Sequence, residues 1–473
     1  MDYRLLLPQF LLAGLAFALL ALDLVLPPAR RRYVAYLGVL GLLSILLATV
    51  SLRGHEGTLY GGLFVVDSYA LFFQGLFLLL GAVILLAAEG YVQKFLGHPG
   101  EYYGIVVVAV LAMTVMTSAG ELLTAYIALE LLSFTFYVLS AYATRDLRSN
   151  EAGLKYILLG AFSSALLLYG ISLIYGATGT TYFAGIAEAV TGTLSPGLIL
   201  GLVLLIAGFG FKAAAVPFHM WAPDVYEGAP LPTTAYLSVA AKAAVFGLLL
   251  RLFSQGLLPA IEVWRWVIIA LAVASITVGN LVAIPQTNIK RMLAYSSIGQ
   301  AGYLLIGLAA LSPQAVSGVL VHLAGYAATN LLAFTAVIAY YNETGHEQIE
   351  DFAGAAERAP YLALLLTIAM FSLAGLPFFA GFTTKFYLFT AAAQEGLLWL
   401  AALAVAMSVV SLYYYLMVIK QMYIVPSRHS PRLKPSLVLK GVLGMLAVAT
   451  VGIGVYPGPL VRFIEAASKG LFS

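Results

Sequence analysis

Residues 195–226 read SPGLILGLVLLIAGFGFKAAAVPFHMWAPDVY. The run is longer than the ~20 apolar residues that carry a helix across a bilayer, so it reads as a membrane span. Two residues are out of place in it, a lysine at 212 and a proline at 217. A charge at a helix centre costs ~2.5 to 3.5 kcal/mol on insertion scales, and an internal proline removes a backbone hydrogen bond. In lipid such a break is tolerated only where protein or a water-filled cavity satisfies the freed groups. A plain packing kink is the structural alternative.

The same composition runs through the chain. Of 473 residues, 62% are hydrophobic and 10% charged, against ~25% charged in an average soluble domain. Apolar runs recur at about 5–26, 33–52, 64–89, 103–120, 121–142, 151–176, 195–226, 231–253, 259–284, 290–311, 312–341, 357–391, 396–424 and 436–457. The first is too long for a signal-peptide core, and Pro27, Pro28 and Arg30 to Arg32 follow it instead of a cleavage site, so it reads as retained. The expected fold is an all-α polytopic membrane protein of about 14 transmembrane helices, one membrane domain over 1–473. Residues 1–100 would supply three helices, 101–255 and 256–425 a five-helix repeat each, and 426–473 the last helix and C-terminus.

Several function classes drop out. With no cysteine, the chain offers no thiolate for an iron-sulfur cluster, Cys-bound zinc or disulfide, so redox chemistry would belong to partners. A net charge of +3, without basic runs, does not suit nucleic acid. GFGFKA at 208–213 matches a dinucleotide pattern but has no preceding strand. Asn342-Glu-Thr344 forms a glycosylation sequon in a loop expected to be cytoplasmic. His219, His346 and His429 are scattered without metal-ligand spacing.

Basic residues set an expected orientation, because Lys and Arg are held on the cytoplasmic side. With a periplasmic N-terminus, that side collects Arg30, Arg31, Arg32, Lys94, Arg145, Arg148, Lys290, Arg291, Arg358, Lys420, Arg428, Arg432, Lys434 and Lys440. The other side holds Arg4, Arg53, Arg251, Arg265, Arg462 and Lys469. Both termini are then periplasmic. Lys155, Lys212, Lys242 and Lys385 fit neither set and fall inside spans.

Each buried charge has a bland reading, in which a lysine near a helix end snorkels to the interface. Lys242 stands about ten residues from both ends of its span, and Lys212 and Lys385 sit in proline-interrupted spans beside Pro217 and Pro377. Snorkelling does not reach from there. Lys155 is one turn from a cytoplasmic start, and snorkelling explains it as well as function does. Glu130 is a lone mid-span carboxylate that calls for a cation on a neighbouring helix. His322 suits proton exchange near neutral pH, although a lone helical histidine also serves as a hydrogen-bonded structural group.

The two halves are weakly alike. Gly153-Leu154, Leu158-Leu159-Gly160 and Leu166-Leu167 align on Gly318-Val319, Leu323-Ala324-Gly325 and Leu331-Leu332, and Pro217-Phe218 then meets Pro377-Phe378. Five-helix units in tandem are inverted relative to each other, and matched interrupted helices point to an ion pathway. Glu130 falls opposite Tyr295, so the two half-pathways differ chemically.

Three stretches, FKAAAVPFHMWAPDVYEGAP (211–230), QTNIKRMLAYSSIGQAGYLL (286–305) and GLPFFAGFTTKFYLF (375–389), resemble the antiporter-like subunits of respiratory complex I. Their relatives in Mrp antiporters and membrane-bound hydrogenases share the pattern. The resemblance spans about 100–425 and implies a proton-translocating subunit in a bacterial inner membrane. NADH, FMN, iron-sulfur clusters and quinone would be held by partner subunits, with no cofactor in this chain. It also implies roles for matched positions: Glu130 and Lys212 as an ion pair, Lys242 as central relay, Lys385 as exit lysine, Lys155 as a sixth-span lysine and His322 as a looser eleventh-span match. Phe378 and Thr383-Thr384 depart from the family pattern and bear on local helix shape. An unrelated ion-coupled transporter and a purely structural membrane subunit are the competing readings.

Overall fold

The computed structural model describes residues 2–27, 30–190, 192, 194–427 and 432–472. Pro28, Arg428 and His429 lie outside the described residues. Helices α1 (Leu7–Val25) and α2 (Tyr33–Ser51) precede an antiparallel hairpin of β1 (Gly57–Leu59) and β2 (Phe64–Val66), with Thr58 opposite Val65. Next come α3 (Ser68–Phe95), α4 (Pro99–Thr117), α5 (Leu122–Ser140), α6 (Leu147–Thr178), α7 (Phe183–Ala189), α8 (Pro196–Ala213) and α9 (Trp221–Gly228). The following span joins α10 (Leu231–Tyr236), a π turn (Leu237–Ala241) and α11 (Lys242–Gln255). Then follow α12 (Ile261–Ala283), α13 (Ile289–Ala310), α14 (Pro313–Thr344) and α15 (Ala355–Arg358). The chain continues through α16 (Pro360–Ala374), α17 (Ala380–Gln394), α18 (Leu398–Tyr423), α19 (Leu437–Val455) and α20 (Gly458–Ser468). Among the described residues 13 helices are long and apolar enough to cross a membrane, and α16 is a shorter apolar helix. The protein is a multi-pass membrane protein.

Short polar side chains start many of these helices. Asp67, Asp146, Ser195, Asn288, Ser312 and Ser436 each accept a backbone N–H in the first turn of α3, α6, α8, α13, α14 and α19. A cap of this kind is worth about 0.5–2 kcal/mol, because it satisfies a donor that the helix cannot.

Packing sorts the helices into inner and outer. The span Leu231–Gln255 is 100% buried over its most apolar window and Ile289–Ala310 94%, whereas Leu398–Tyr423 is 28% buried. Outer helices turn Phe17, Leu24, Val409 and Val448 outward, which suits contact with hydrocarbon. The spans carrying Lys242 and His322 are therefore among the innermost. Each half repeats a packing motif: α4 lies against α5 and α6 against α8 and α9, as α12 lies against α13 and α14 against α16 and α17. This fits two five-helix repeats.

Ion pairs identify which helix ends lie together. Arg148 at the start of α6 meets Glu347 beyond α14 at 3.1 Å, and Arg291 at the start of α13 meets Asp224 and Glu227 of α9 at 2.7 and 3.0 Å. These groups define a basic end. At the opposite end Arg251 of α11 donates to both oxygens of Asp67, at 2.8 and 2.7 Å, and to the Thr117 carbonyl at 3.1 Å.

Two charges differ from the sequence reading, which placed Arg251 and Lys290 in loops. Arg251 is 0% exposed, and Lys290 is 5% exposed with Glu347 at 2.8 Å. Each finds a carboxylate far away in sequence, and that pairing makes burial affordable. Removing one partner of such a pair costs about 3–5 kcal/mol, whereas replacing both with apolar groups is often neutral. Arg251→Met is therefore expected to lower the thermal unfolding midpoint of the detergent-solubilised protein, and Arg251→Met with Asp67→Asn, which removes the unpaired charge and keeps a capping side chain on α3, to recover part of the loss.

Candidate functional site

The row of buried charges begins at the end of α8. That helix stops at Ala213, because Ala214 takes a left-handed conformation (φ 57°). The break thus precedes Pro217, and Lys212 occupies the last helical turn. Val216 N–H donates to Ser275 Oγ at 2.9 Å, and the Trp221 indole donates to the Phe211 carbonyl at 2.9 Å. These side chains supply the satisfaction that a break within a membrane requires.

Lys212 Nζ lies 3.6 Å from Glu130 Oε1 and donates to Ser133 Oγ at 2.7 Å and Ser164 Oγ at 3.2 Å. Ser164 in turn donates to Glu130 at 2.6 Å. Ser164 binds both members of the pair and Ser133 binds the lysine alone, so a modest displacement of α5, α6 or α8 can lengthen the ion pair while each charge keeps a hydrogen bond. Lys155 lies apart from this group. Its side chain is 42% exposed, and its ammonium is 2.7 Å from both Glu151 and Asp224 at the basic end.

Lys242 follows the π turn directly and is 2% exposed. A π turn widens the helix by one residue and leaves carbonyls without intrahelical partners. Here Tyr326 donates to the Ser238 carbonyl at 3.2 Å and Asn330 to Ser238 Oγ at 2.7 Å, both from α14. The Lys242 ammonium donates to the Ser297 carbonyl at 2.6 Å and to Ser297 Oγ on α13. No carboxylate is paired with it among the described residues.

His322 lies beyond, 1% exposed, with Nδ1 3.0 Å from Thr384 Oγ1 and Nε2 3.2 Å from Gln300 Oε1. A cavity of about 10 Å³ touches Gln300, His322, Tyr326, Ser372 and Lys385, room for about one water. Lys385 ends the row. Its ammonium donates to the Leu373 carbonyl and to Ser408 Oγ, each at 2.8 Å, and lies 5.0 Å over the Tyr303 ring.

The second break explains that placement. Helix α16 stops at Ala374, before Pro377, with Gly375 at φ 87° and Phe378 at φ 73°. Its final carbonyls are left open, and they carry the partial negative charge of a helix C-terminus. Lys385 takes Leu373 and Ser408 takes Ala374 at 3.0 Å. Lys212 is met by a carboxylate, Lys385 by the end of a helix.

The structure thus joins Glu130 to Lys212 and His322 to the Lys385 group, places Lys242 against α13, and leaves Lys155 outside. Sequence reading did not find Ser133, Ser164, Ser297, Gln300 and Ser408, the hydroxyl and amide partners of these groups. Ser133, three residues after Glu130 on the same helical face, was the one visible signal.

The chain matches the family described as NADH:quinone oxidoreductase/Mrp antiporter, TM, over residues 119–411. It is 47% identical to the NADH-quinone oxidoreductase subunit N of Moorella thermoacetica over 475 residues, covering 100% of this chain and 99% of the relative. It resembles a chain of respiratory complex I from Thermus thermophilus with bound aureothin at 32% identity and TM-score 0.81, covering 96% of this chain and 98% of that one. A chain of the Mrp complex from Dietzia sp. shares the fold, with TM-score 0.88 at 21% identity, covering 100% of this chain and 98% of that one.

One substitution probes the second break. A Cβ on Gly381 would lie 1.7 Å from the Ser372 carbonyl oxygen, whereas one on Gly14 would meet nothing within 4 Å. Overpacking of this kind costs about 1–3 kcal/mol or more. Gly381→Ala should lower the thermal unfolding midpoint clearly, with Gly14→Ala at the parental value.

Proposed function

Because the chain belongs to the NADH:quinone oxidoreductase/Mrp antiporter transmembrane family, we propose that it is subunit N of a proton-translocating NADH:quinone oxidoreductase. In this reading it is the membrane part of a translocase, coupling electron transfer in partner subunits to proton movement. The observation that carries it is the full-length 47% identity to a subunit of that name, together with three buried lysines, each held by its own polar contacts. Its partners are the other membrane subunits of the complex and, through them, the redox arm with NADH, FMN, iron-sulfur clusters and quinone. It resides in the bacterial inner membrane, with the basic end cytoplasmic and both termini periplasmic.

The proposed path takes a proton from the cytoplasmic side at the Glu130 and Lys212 pair. Opening that pair releases a proton through water to Lys242, held at Ser297. From there it crosses by His322 to Lys385, which releases it outward when its contacts to Leu373 and Ser408 loosen. Moving one charge against ~150 mV takes ~3.5 kcal/mol, and disrupting one desolvated pair is of comparable size. A conformational change that opens the pair can therefore carry the required energy, which enters from redox steps in partners.

The test uses the assembled complex in proteoliposomes driven by NADH. Lys242→Ala and Glu130→Ala are expected to abolish most proton pumping. Lys242→Arg should do the same, because a guanidinium keeps its charge but does not give up its proton. Pumping at the parental level in all three would sink the assignment.

A further inference from the structure

One polar file leads away from the row. Between α12, α13 and α18, at the basic end, lies a cavity of about 440 Å³ lined by Gln286, Glu350, Tyr414 and Gln421 among others. The Tyr414 hydroxyl donates to Asn280 Oδ1 at 3.0 Å. Asn280 Nδ2 donates onward to the Tyr303 hydroxyl at 3.2 Å and to the Ile276 carbonyl at 2.8 Å. Tyr303 carries the Lys385 ammonium over its ring at 5.0 Å, and Lys385 donates to Ser408 at 2.8 Å. Asn280, Tyr303 and Tyr414 are 2%, 1% and 3% exposed. A file of polar side chains therefore runs from the basic-end cavity to within 5.0 Å of the last lysine of the pathway.

The reading in which Lys385 releases protons outward makes such a connection a hazard. A proton-conducting file would let Lys385 exchange with the side from which protons are taken, and each cycle would be short-circuited. The chemistry of the middle residue answers this. A hydroxyl can accept one proton while giving up another, and so can a carboxylic acid. A carboxamide donates through nitrogen and accepts through oxygen, with no proton to surrender in its ordinary form. Asn280 makes all three of its hydrogen bonds in a fixed orientation, oxygen toward Tyr414 and nitrogen toward Tyr303.

We propose that Asn280 is a proton insulator, resting on the pathway proposed above. It satisfies the buried tyrosines on both sides, as an interior without water demands, and it interrupts proton transfer between the basic-end cavity and Lys385. Apolar filling would have blocked protons as well, but it would have left two tyrosine hydroxyls without partners. The amide meets both requirements.

Asn280→Asp tests this with almost no change of shape. The carboxyl takes a proton on one oxygen and releases one from the other, so the file Tyr414, Asp, Tyr303 becomes conducting. In reconstituted complex driven by NADH, protons translocated per NADH oxidised should fall to about half of the parental ratio or less, with NADH oxidation retained and an imposed pH gradient decaying at least about twofold faster. Asn280→Leu, which adds no exchangeable group, should keep the parental ratio. Tyr414→Phe should keep both ratio and rate, since the file conducts nothing in the parent.

Asn280→Asp at the parental ratio overturns the proposal. Equal leak in Asn280→Leu overturns it too, by showing a packing defect. Slower pumping in Tyr414→Phe overturns it by showing that the file carries protons. If Asn280→Asp fails to assemble, Asn280→Ser takes its place, because a hydroxyl also accepts one proton while giving up another, and the parental ratio there overturns the proposal. The pathway itself stands or falls on the Lys242 and Glu130 variants, so the two failures are separable.

Discussion

A cation placed among hydrocarbon-facing helices must find polar partners inside the protein, because lipid provides none. Everything distinctive in this fold answers that demand. Helix α8 ends where Lys212 can reach a carboxylate, and α16 ends where its open carbonyls can receive Lys385. The span between them is widened by a π turn beside Lys242. Breaks that would destabilise a water-soluble helix serve here as coordination sites. The surrounding serines, amides and tyrosines are the rest of the same solution.

Much of this was legible in the residues. Charge and proline in otherwise apolar runs located Lys212, Lys242, Lys385 and Glu130, since these departures are costly enough to stand out against a uniform background. The order and number of spans followed from length and hydropathy; a lone carboxylate called for a cation on a neighbouring helix, and the family resemblance pointed to Lys212. Other features had no such contrast. Ser133, Ser297 and Ser408 are ordinary in a membrane helix, and only three-dimensional proximity makes them partners. Arg251 and Lys290 were placed in loops because they lie within a turn or so of a helix end, and sequence cannot see Asp67 or Glu347 waiting there. The breaks were assigned to the prolines, yet the helices stop earlier, at Ala213 and Ala374. In each case the chain leaves the helix at a left-handed residue, Ala214 or Gly375, two or three positions ahead of the proline. The hairpin of β1 and β2 is too short to leave a strand pattern.

The two halves share a packing motif and divide its chemistry. The first uses full charges, Glu130 against Lys212, which respond strongly to small changes in separation because Coulomb energy in a low-dielectric interior is steep. The second holds Lys385 with carbonyl and hydroxyl groups and a helix terminus, a softer set with no anion to neutralise. A pair that switches sharply suits loading, and a site that releases without separating opposite charges suits discharge. The mismatch of Glu130 with Tyr295 in the repeat alignment is where this division is written in the sequence.

The π turn before Lys242 has a geometric meaning for the whole span. One residue of α-helix amounts to about 100° of rotation about the axis. The extra residue held in Leu237–Ala241 therefore sets the angular phase of everything after it relative to everything before it. Thr233 and Thr234 face α5 and α9 on one side of that phase step, while Lys242 faces α13 and Arg251 faces α3 on the other. A single rod thereby addresses two different sets of neighbours at its two ends. Winding the same residues as regular α-helix would lengthen the span only slightly and turn Lys242 and Arg251 together out of register, like a key cut correctly but rotated in its lock.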